Sequence, residues 1–253
     1  MLSDLAGKRV LVTGASTGIG AAVAKGFADC GAHVAVHYNA SQDGANAVVA
    51  DIHAAGGTAV ALGADVMDST AVATLVAETR QALGGLDVLI NNAGGLVRRA
   101  PSQEVDDDLF GQIMDLNTRS VVMACKAVLP GFIAQGHGNI INTGSIAARH
   151  GGGPGAGVYA SAKSFVHTYT RALAKEYAGQ GIRVNCVSPG VILTPFHAET
   201  PQSAIDGWIK AIPMGRLGEP EDLIGSYLFL ASDKMSGYVT GQMLDVNGGF
   251  LMP

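Results

Sequence analysis

A tyrosine and a lysine one helical turn apart are the residues best suited to acid–base chemistry. Tyr159 and Lys163 lie in Val158–Ala178, a stretch predicted to be helical, and their spacing of four residues places both side chains on one face. A free phenol titrates near ~10, and an ammonium one turn away favours the phenolate and lowers that pKa. Such a pair also arises by chance, so its context must decide whether it is catalytic.

A serine beyond a predicted strand supplies part of that context. Ser145 follows Asn139–Thr143, and a hydroxyl at the carboxyl edge of a sheet could polarise a substrate carbonyl. The alternative, a simple turn residue at a strand end, is the commoner role for a single serine.

A glycine-rich loop, Thr13–Gly20, lies where a nucleotide phosphate would bind. It follows the first predicted strand and opens the first predicted helix, which is the context that supports dinucleotide binding. Its glycines permit a tight turn and a close approach to a pyrophosphate, and the N–H groups at the helix start bind the anion. The alternative is a plain turn in a chain with 35 glycines, and the spacing is G-x-x-x-G-x-G rather than G-x-G-x-x-G.

Short apolar runs alternate with alanine-rich helical stretches, as in repeated βαβ units. The predicted strands are Arg9–Val12, Val34–Tyr38, Ala59–Leu62, Val88–Ile90, Asn139–Asn142, Arg183–Val187 and Met243–Val246. The helical stretches between the early strands are Ile19–Cys30, Ser41–Ala55 and Ser69–Leu83. Nearly all-apolar strands are typical of a sheet covered on both faces. We expect an α/β fold with a doubly wound parallel sheet of about seven strands, as a single domain over residues 1–253.

Two irregular segments leave the carboxyl edge of this sheet, where open α/β sheets bind ligands. The segment 190–218 contains three prolines around a short helical stretch, Ser203–Ile212, and is predicted to be a substrate lid. The stretch Gly151–Gly157 is predicted to be a flexible loop.

The composition excludes several other classes of protein. Hydrophobic residues make up 48% of the 253 residues and charged residues 15%, unlike a disordered chain. A formal net charge of −5 leaves no electrostatic footprint for nucleic acid. The three cysteines are far apart and no cluster has metal-ligand spacing, so we expect neither disulfides nor a metal site. No signal-like or membrane-spanning run is found, so we expect a cytoplasmic protein without a membrane partner.

Taken together, these motifs resemble the classical short-chain dehydrogenase/reductase family across essentially the whole chain, which implies a Rossmann-type sheet. Asn117, Ser145, Tyr159 and Lys163 fall in the order of the family's catalytic tetrad. The predicted cofactor-binding residues are Gly14, Ser16, Thr17, Gly18, Ile19, Gly20, Tyr38, Asn39, Ser41, Asp65, Val66, Asn91, Ala93, Gly94, Tyr159, Lys163, Pro189, Gly190, Ile192 and Thr194. Among them, Asp65 and Val66 resemble the family's adenine-contacting pair, and Pro189, Gly190 and Thr194 resemble its segment at the nicotinamide carboxamide.

The resemblance implies an NAD(P)-dependent oxidoreductase that transfers hydride between the nicotinamide C4 and a carbonyl or secondary alcohol. Tyr159 would give or take the proton, Lys163 would hold the ribose hydroxyls, Ser145 would orient the substrate oxygen and Asn117 would hold a water. Ser145 and Tyr159 are fourteen residues apart, one more than we expect for the family, so the glycine-rich insert is expected to reshape the site.

The residues after the second predicted strand favour NADP over NAD. A carboxylate there would bind the ribose 2′-hydroxyl and select NAD, but Tyr38, Asn39 and Ser41 carry none. No arginine or lysine accompanies them, although Ser41 could offer a hydroxyl and a helix N-terminus to a phosphate.

Three arginines and a histidine lie on two loops beside the expected catalytic groups. Arg98 and Arg99 follow the fourth predicted strand, and Arg149 and His150 follow the fifth. Arginine binds carboxylates through two parallel hydrogen bonds, so we expect a small, polar, anionic substrate such as a sugar acid or a hydroxy or oxo acid. The alternative is that these arginines are solvated or lie in subunit contacts, in which case a polyol is equally suitable.

The sequence leaves two other functions open and also predicts an oligomeric state. A 3-oxoacyl-[acyl-carrier-protein] reductase would need basic residues to dock its carrier, and Gln135–Gly138 and Gly179–Gly181 carry no arginine or lysine. A non-catalytic dinucleotide-binding regulator would usually lack the tyrosine or the lysine. The long predicted helices Leu109–Phe132 and Val158–Tyr177, with the segment Gly237–Phe250, predict a homotetramer through two-fold contacts.

Overall fold

Seven strands form one parallel sheet in the computed structural model, which describes residues 2–198 and 200–252. The strands are β1 (Arg9–Val12), β2 (His33–Tyr38), β3 (Thr58–Gly63), β4 (Val88–Asn91), β5 (Gly138–Thr143), β6 (Ile182–Pro189) and β7 (Met243–Val246). Their order across the sheet is β3-β2-β1-β4-β5-β6-β7. The predicted doubly wound parallel sheet is confirmed, and the strands that differ from prediction are longer by only one or two residues at an end.

Helices cover both faces of the sheet. They are α1 (Gly18–Asp29), α2 (Gln42–Ala54), α3 (Ser69–Leu83), α4 (Asp107–Met114), α5 (Ser120–Gln135), α6 (Ala147–His150), α7 (Gly157–Tyr177), α8 (Gln202–Ala211), α9 (Glu221–Ala231) and α10 (Asp233–Ser236). One core layer joins α1, α2 and α9 to the sheet around Phe27 and Tyr227, and the other joins α3, α5 and α7 around Phe132. Within the described residues, no helix is long and apolar enough to cross a membrane.

The direction in which the sheet grows reverses between β1 and β4. β1 pairs with β2 on one side and with β4 on the other. The chain leaves β1 toward α1 on one face and leaves β4 toward α5 on the other. The loops therefore diverge at this point and open a crevice at the carboxyl ends of the two strands, where doubly wound proteins bind ligands.

The stretch 109–132, predicted as one long helix, is divided into α4 and α5. A π-helical turn, Asp115–Arg119, separates them. Asn117 in this turn is fully buried, and its Nδ2 donates to Ile113 O at 2.9 Å. π-helical turns inside helices often occur at functional sites. The position of Asn117 in such a turn agrees with its predicted place in the tetrad.

The segment 190–218 is anchored at both ends. Leu193 N donates to Gly218 O at 2.7 Å, and Gly218 N donates to Val191 O at 3.0 Å. Between these contacts, a 3-10 turn at Pro195–His197 precedes α8, none of whose residues is buried. Movement of this segment as a lid stays a prediction.

Candidate active site

Three glycines shape the loop between β1 and α1. Gly14 and Gly18 have φ angles of 61° and 55°, in the left-handed region that favours glycine. A Cβ added at Gly14 would lie 2.9 Å from Ala93 Cα, and one added at Gly20 would lie 2.3 Å from Gly14 O. The loop therefore requires glycine both for its turns and for its close contact with the chain after β4.

Hydrogen bonds from two polar side chains hold this contact together. Thr13 Oγ1 accepts the N–H groups of Asn92 and Ala93 at 2.9 and 3.0 Å. Asn92 Nδ2 donates to Gly14 O at 2.9 Å. Asn92 belongs to the motif Asn91–Gly94, which resembles the family's sheet-stabilising motif, but it is not among the residues predicted to bind cofactor.

The side chain of the neighbouring Asn91 makes a hydrogen bond between strands of the sheet instead. Its Nδ2 donates to Asn142 Oδ1 at 2.9 Å, and the residue is buried. Val66 is also buried, in the core layer that contains α3, while Asp65 Oδ1 accepts the N–H of Met67 at 2.9 Å. The Asn91 amide and the Val66 side chain are thus engaged within the protein, and their cofactor contacts stay predictions.

The loop after β2 lies beside the phosphate loop. A Cβ added at Gly44 would be 2.6 Å from Ser41 Oγ and 2.9 Å from Ser16 O, so these two serines are close neighbours. Thr17, Asn39 and Ser41 are exposed at the mouth of the crevice. The first N–H groups of α1 and α2 lack intrahelical acceptors and favour an anion.

The segment after β6 borders the phosphate loop from the other side. A Cβ added at Gly18 would lie 3.2 Å from Thr194 Cγ2. Pro189 ends β6, and the buried Ile192 forms an isolated parallel bridge with Gly218. The predicted nicotinamide-side residues are therefore brought next to the predicted pyrophosphate loop.

Tyr159 and Lys163 lie in the first two turns of α7, on one face as predicted. Lys163 Nζ is 5.8 Å from the centroid of the Tyr159 ring and donates to Thr143 O at 2.9 Å. Lys163 is 4% exposed. Its ammonium has three N–H donors, and Thr143 O is its one hydrogen-bond acceptor among the described residues. The remaining donors suit a pair of ribose hydroxyls, so the site fits a dinucleotide.

Burial controls the titration of both groups. Burial raises the pKa of Tyr159 to about 12, opposed by a hydrogen bond with Ser145. Burial lowers the pKa of Lys163 to about 8, opposed by the nearby Cys186 thiol. The expected lowering of the Tyr159 pKa by Lys163 is not observed, because the ammonium lies over the ring and desolvation of the phenolate dominates.

Ser145 and Asn117 complete the predicted tetrad from separate elements. Ser145, just beyond β5, accepts the N–H of Ala147 at 3.1 Å through its hydroxyl. Asn117 Oδ1 accepts the N–H of Gly95 at 3.1 Å, and its Nδ2 donates to Gly95 O at 2.8 Å. A Cβ added at Gly94 would lie 2.8 Å from Asn117 Oδ1 and 3.0 Å from Lys163 Nζ, so the two side chains flank the same backbone.

A row of aromatic rings extends from Tyr159 into the predicted lid. The ring centroids of Tyr159 and Phe196 are 5.8 Å apart, those of Phe196 and His197 are 4.9 Å apart, and those of His197 and Trp208 are 5.2 Å apart. Sequence reasoning missed Phe196 and His197, whose position directly after Thr194 and Pro195 was the only signal. The segment predicted to be a lid therefore lies against the ring of Tyr159.

Of the four predicted substrate residues, Arg99 is the one whose charge acts on a ring of this row, that of His197. Arg99 Nη1 donates to Pro154 O at 3.1 Å, which binds it to the loop before α7. Burial is the larger cause of the lowered pKa of His197, and the charge of Arg99 is the second cause. Arg98, which is exposed like Arg99, places Nη2 3.5 Å from Asp106 Oδ2.

Arg149 and His150 face the carboxyl-terminal part of the chain. Arg149 Nη2 lies 3.2 Å from Asp245 Oδ2 on β7, and the His150 ring centroid is 6.2 Å from that of Phe250. Arg149 is thus paired with the Asp245 carboxylate, and a contact between Arg149 and a substrate stays a prediction. The four residues do not form one cluster.

A crevice at the switch point, a phosphate loop inside it and a partly buried tyrosine beside a buried lysine define an NAD(P)-dependent oxidoreductase. The comparisons agree with this class: a family model described as Enoyl-(Acyl carrier protein) reductase matches residues 14–251. The chain is 38% identical over 251 residues to a 3-oxoacyl-[acyl-carrier-protein] reductase of Synechocystis sp., with 99% of this chain and 100% of that protein covered. The chain belongs to the short-chain dehydrogenase/reductase family.

Two solved structures are similar over nearly their whole length. An NADH-dependent reductase, A1-R′, responsible for alginate metabolism, is 41% identical with a TM-score of 0.91, and 99% of this chain and 100% of that chain are covered. That reductase is also known in complex with NAD. A protein of Beutenbergia cavernae described as an NAD(P)-dependent gluconate 5-dehydrogenase, with bound NADP, is 36% identical with a TM-score of 0.91 and 97% coverage of both chains. A nicotinamide dinucleotide is therefore the cofactor class.

Tyr159→Phe tests the assigned proton donor. The variant keeps the ring against Phe196 but lacks the hydroxyl, so we expect kcat to fall at least 100-fold, as for loss of a general acid, while the cofactor Kd changes less than threefold. Steady-state rates and fluorescence titration with the cofactor provide the two readouts. Tyr169→Phe, on the same helix, is the matched control and should keep wild-type kcat. A Tyr159→Phe variant with a tenth of wild-type kcat would show that another group moves the proton.

Proposed function

We propose that this protein interconverts a carbonyl and a secondary alcohol on a small, polar, anionic substrate, such as a sugar acid or a hydroxy or oxo acid. The observation that carries the proposal is the position of the Tyr159 phenol, between the buried Lys163 ammonium and the aromatic row of the lid. The dinucleotide supplies or accepts the hydride when bound. The chain itself must position the substrate, move one proton and exclude water.

The proton is moved by groups that this chain already holds close together. Tyr159 gives its proton to the carbonyl oxygen in reduction and takes one from the alcohol in oxidation. The Ser145 hydroxyl, which lowers the pKa of the phenol against the effect of burial, orients the same oxygen. Asn117 and Lys163 flank Gly94, and a water held there would connect the lysine to solvent. A pKa near 12 for the phenol favours the protonated form, which is the form that reduction requires.

Arg99 supports the choice of an anionic substrate. It lies on the loop after β4, is bound to Pro154 just before α7, and acts electrostatically on His197 in the lid. Arg99 is exposed, and a guanidinium can bind a carboxylate through two parallel hydrogen bonds. The charge at this end of the cleft therefore favours an acid over a neutral polyol.

Arg98 and Arg99 offer a matched pair for testing the substrate charge. We expect Arg99→Ala to reduce kcat/KM for an acid substrate at least tenfold relative to its uncharged amide, about 1.4 kcal/mol. Arg98→Ala, whose guanidinium pairs with the exposed Asp106, should change that preference less than threefold. Michaelis constants for a panel of oxo acids, sugar acids and their amides give both ratios. Equal loss on acid and amide in Arg99→Ala would contradict an anionic substrate.

A second function, reduction of a 3-oxoacyl group on a carrier protein, is favoured by the similarity to the Synechocystis reductase. A carrier-docking surface would need basic residues, and Gln135–Gly138 and Gly179–Gly181 carry no arginine or lysine. Comparing kcat/KM for a carrier-bound thioester and for a free one separates the two functions. A preference for the carrier-bound form of more than tenfold would replace our first proposal.

We also propose that NADP is preferred over NAD. No carboxylate occupies the loop Tyr38–Ser41, and the first acidic residue beyond it, Asp43, lies inside α2. Ser41 and Ser16 are neighbours at the helix start, where hydroxyls and free N–H groups can hold a 2′-phosphate.

The cofactor preference is tested by placing an acid in that loop. We expect wild-type kcat/KM to be higher with NADPH than with NADH. Asn39→Asp should lower the ratio of kcat/KM with NADPH to that with NADH at least tenfold, because a carboxylate repels the 2′-phosphate and accepts a hydrogen bond from the 2′-hydroxyl. Asn39→Ala is the control for loss of the amide alone. A wild-type ratio below one would refute NADP preference.

A homotetramer is the proposed assembly, and a cytoplasmic location stays a prediction. Phe165 is 41% exposed and stacks on Tyr169 along the outer side of α7, which suits a two-fold helix contact. β7 lies at the edge of the sheet, where a second contact through the segment Gly237–Phe250 could form. Light scattering should report the mass of four chains, and a monomer at micromolar concentration would contradict the assembly.

A further inference from the structure

A buried histidine lies directly beneath the phosphate loop. His37, next to last in β2, is 1% exposed. Its Nδ1 accepts the N–H of Gly14 at 2.9 Å, and its Nε2 lies 3.0 Å from Ala64 O. The sequence alone predicts no role for His37 in the site. The two ring contacts show instead that its side chain joins the backbones of two loops.

The hydrogen bonds define the state of the imidazole. Gly14 N–H is a donor, so Nδ1 must be the unprotonated acceptor; Ala64 O is an acceptor, so Nε2 must carry the proton. An imidazolium would present an N–H to the N–H of Gly14. Burial lowers the pKa of His37, which agrees with a neutral ring.

Main-chain bonds extend the same connection. Ala15 N donates to His37 O at 2.8 Å, and Ala64 N donates to Tyr38 O at 3.0 Å. Ala64 directly precedes Asp65, predicted to lie at the adenine, while Gly14 and Ala15 open the loop predicted to hold the pyrophosphate. β2 therefore links the two backbone segments that would hold the two ends of the adenosine diphosphate part of the cofactor.

We propose that His37 is a positioning residue for the dinucleotide: its neutral ring fixes the Gly14 peptide and so aims the rest of the loop at the phosphates. Gly14 has a φ of 61°, and its N–H points inward to the ring rather than toward the crevice. With that peptide fixed, the N–H groups at the start of α1 form a rigid anion site. This inference rests on the proposed role of the loop in binding the cofactor.

Two amide substitutions separate the two bonds of the ring. In asparagine, Oδ1 is as many bonds from Cα as Nδ1 of histidine, so His37→Asn keeps an acceptor for Gly14 but loses the donor to Ala64. In glutamine, Nε2 is as many bonds from Cα as Nε2 of histidine, so His37→Gln keeps the donor but loses the acceptor. His33→Gln, at the start of the same strand, is the matched control.

The readouts are the Kd values for NADPH and NADH by fluorescence titration, hydrogen exchange of the Gly14 amide in the free protein, and Tm. We expect His37→Gln to raise the Kd at least tenfold and to speed Gly14 exchange at least tenfold. His37→Asn and the His33→Gln control should stay within threefold of wild type in both. A general packing defect would instead weaken cofactor binding in His37→Asn and His37→Gln alike, and that result would overturn the proposal.

The remaining outcomes are also distinct. If the wild-type protein binds cofactor and folded His37→Gln binds it with the same Kd, the role of His37 is overturned but the cofactor site is not. Wild-type protein that binds neither NADPH nor NADH would overturn the proposed cofactor site itself. If His37→Gln does not fold, nitrogen NMR of the wild-type imidazole decides: a ring protonated at Nε2 only is expected, and one protonated at Nδ1 would refute the assignment.

Discussion

The contact between the chain after β1 and the chain after β4 is the interaction on which the rest of the site depends. Thr13 and Asn92 hold the two backbones together through their side chains, and Gly14 and Gly20 allow the approach because no Cβ would fit. The helices that follow pack on opposite faces of the sheet, so the crevice opens beside this contact. Its floor is backbone, and backbone N–H groups are what a pyrophosphate needs.

Burial imposes a second constraint, on charge. Lys163 keeps its ammonium inside the protein with Thr143 O as its acceptor, and desolvation weakens its charged form. A buried charge with unused donors favours a ligand that supplies hydroxyls. The same burial keeps Tyr159 protonated. The pair is therefore held in the protonation states that carbonyl reduction needs, and α7 holds both groups on one rigid face.

The residues proposed to recognise substrate lie on irregular segments at one edge of the sheet. The lid contributes Phe196 and His197 above Tyr159, and the loop after β4 contributes Arg99. Loops of this kind determine specificity while the scaffold remains the same, and this agrees with relatives of similar fold whose names carry different substrates. The guanidinium of Arg149 pairs with Asp245 on β7.

Much of this protein was predictable from the sequence because the relevant physics is local. Apolar runs and alanine-rich stretches determine strands and helices, glycine determines where the chain can turn tightly, and a four-residue spacing places Tyr159 and Lys163 on one helix face. Only the tertiary structure decided the rest. Asn117 lies in a π-helical turn rather than a regular helix, His37 bonds to Gly14, and Arg149 pairs with Asp245. Each of these depends on partners brought together by packing, and on desolvation that no local pattern encodes.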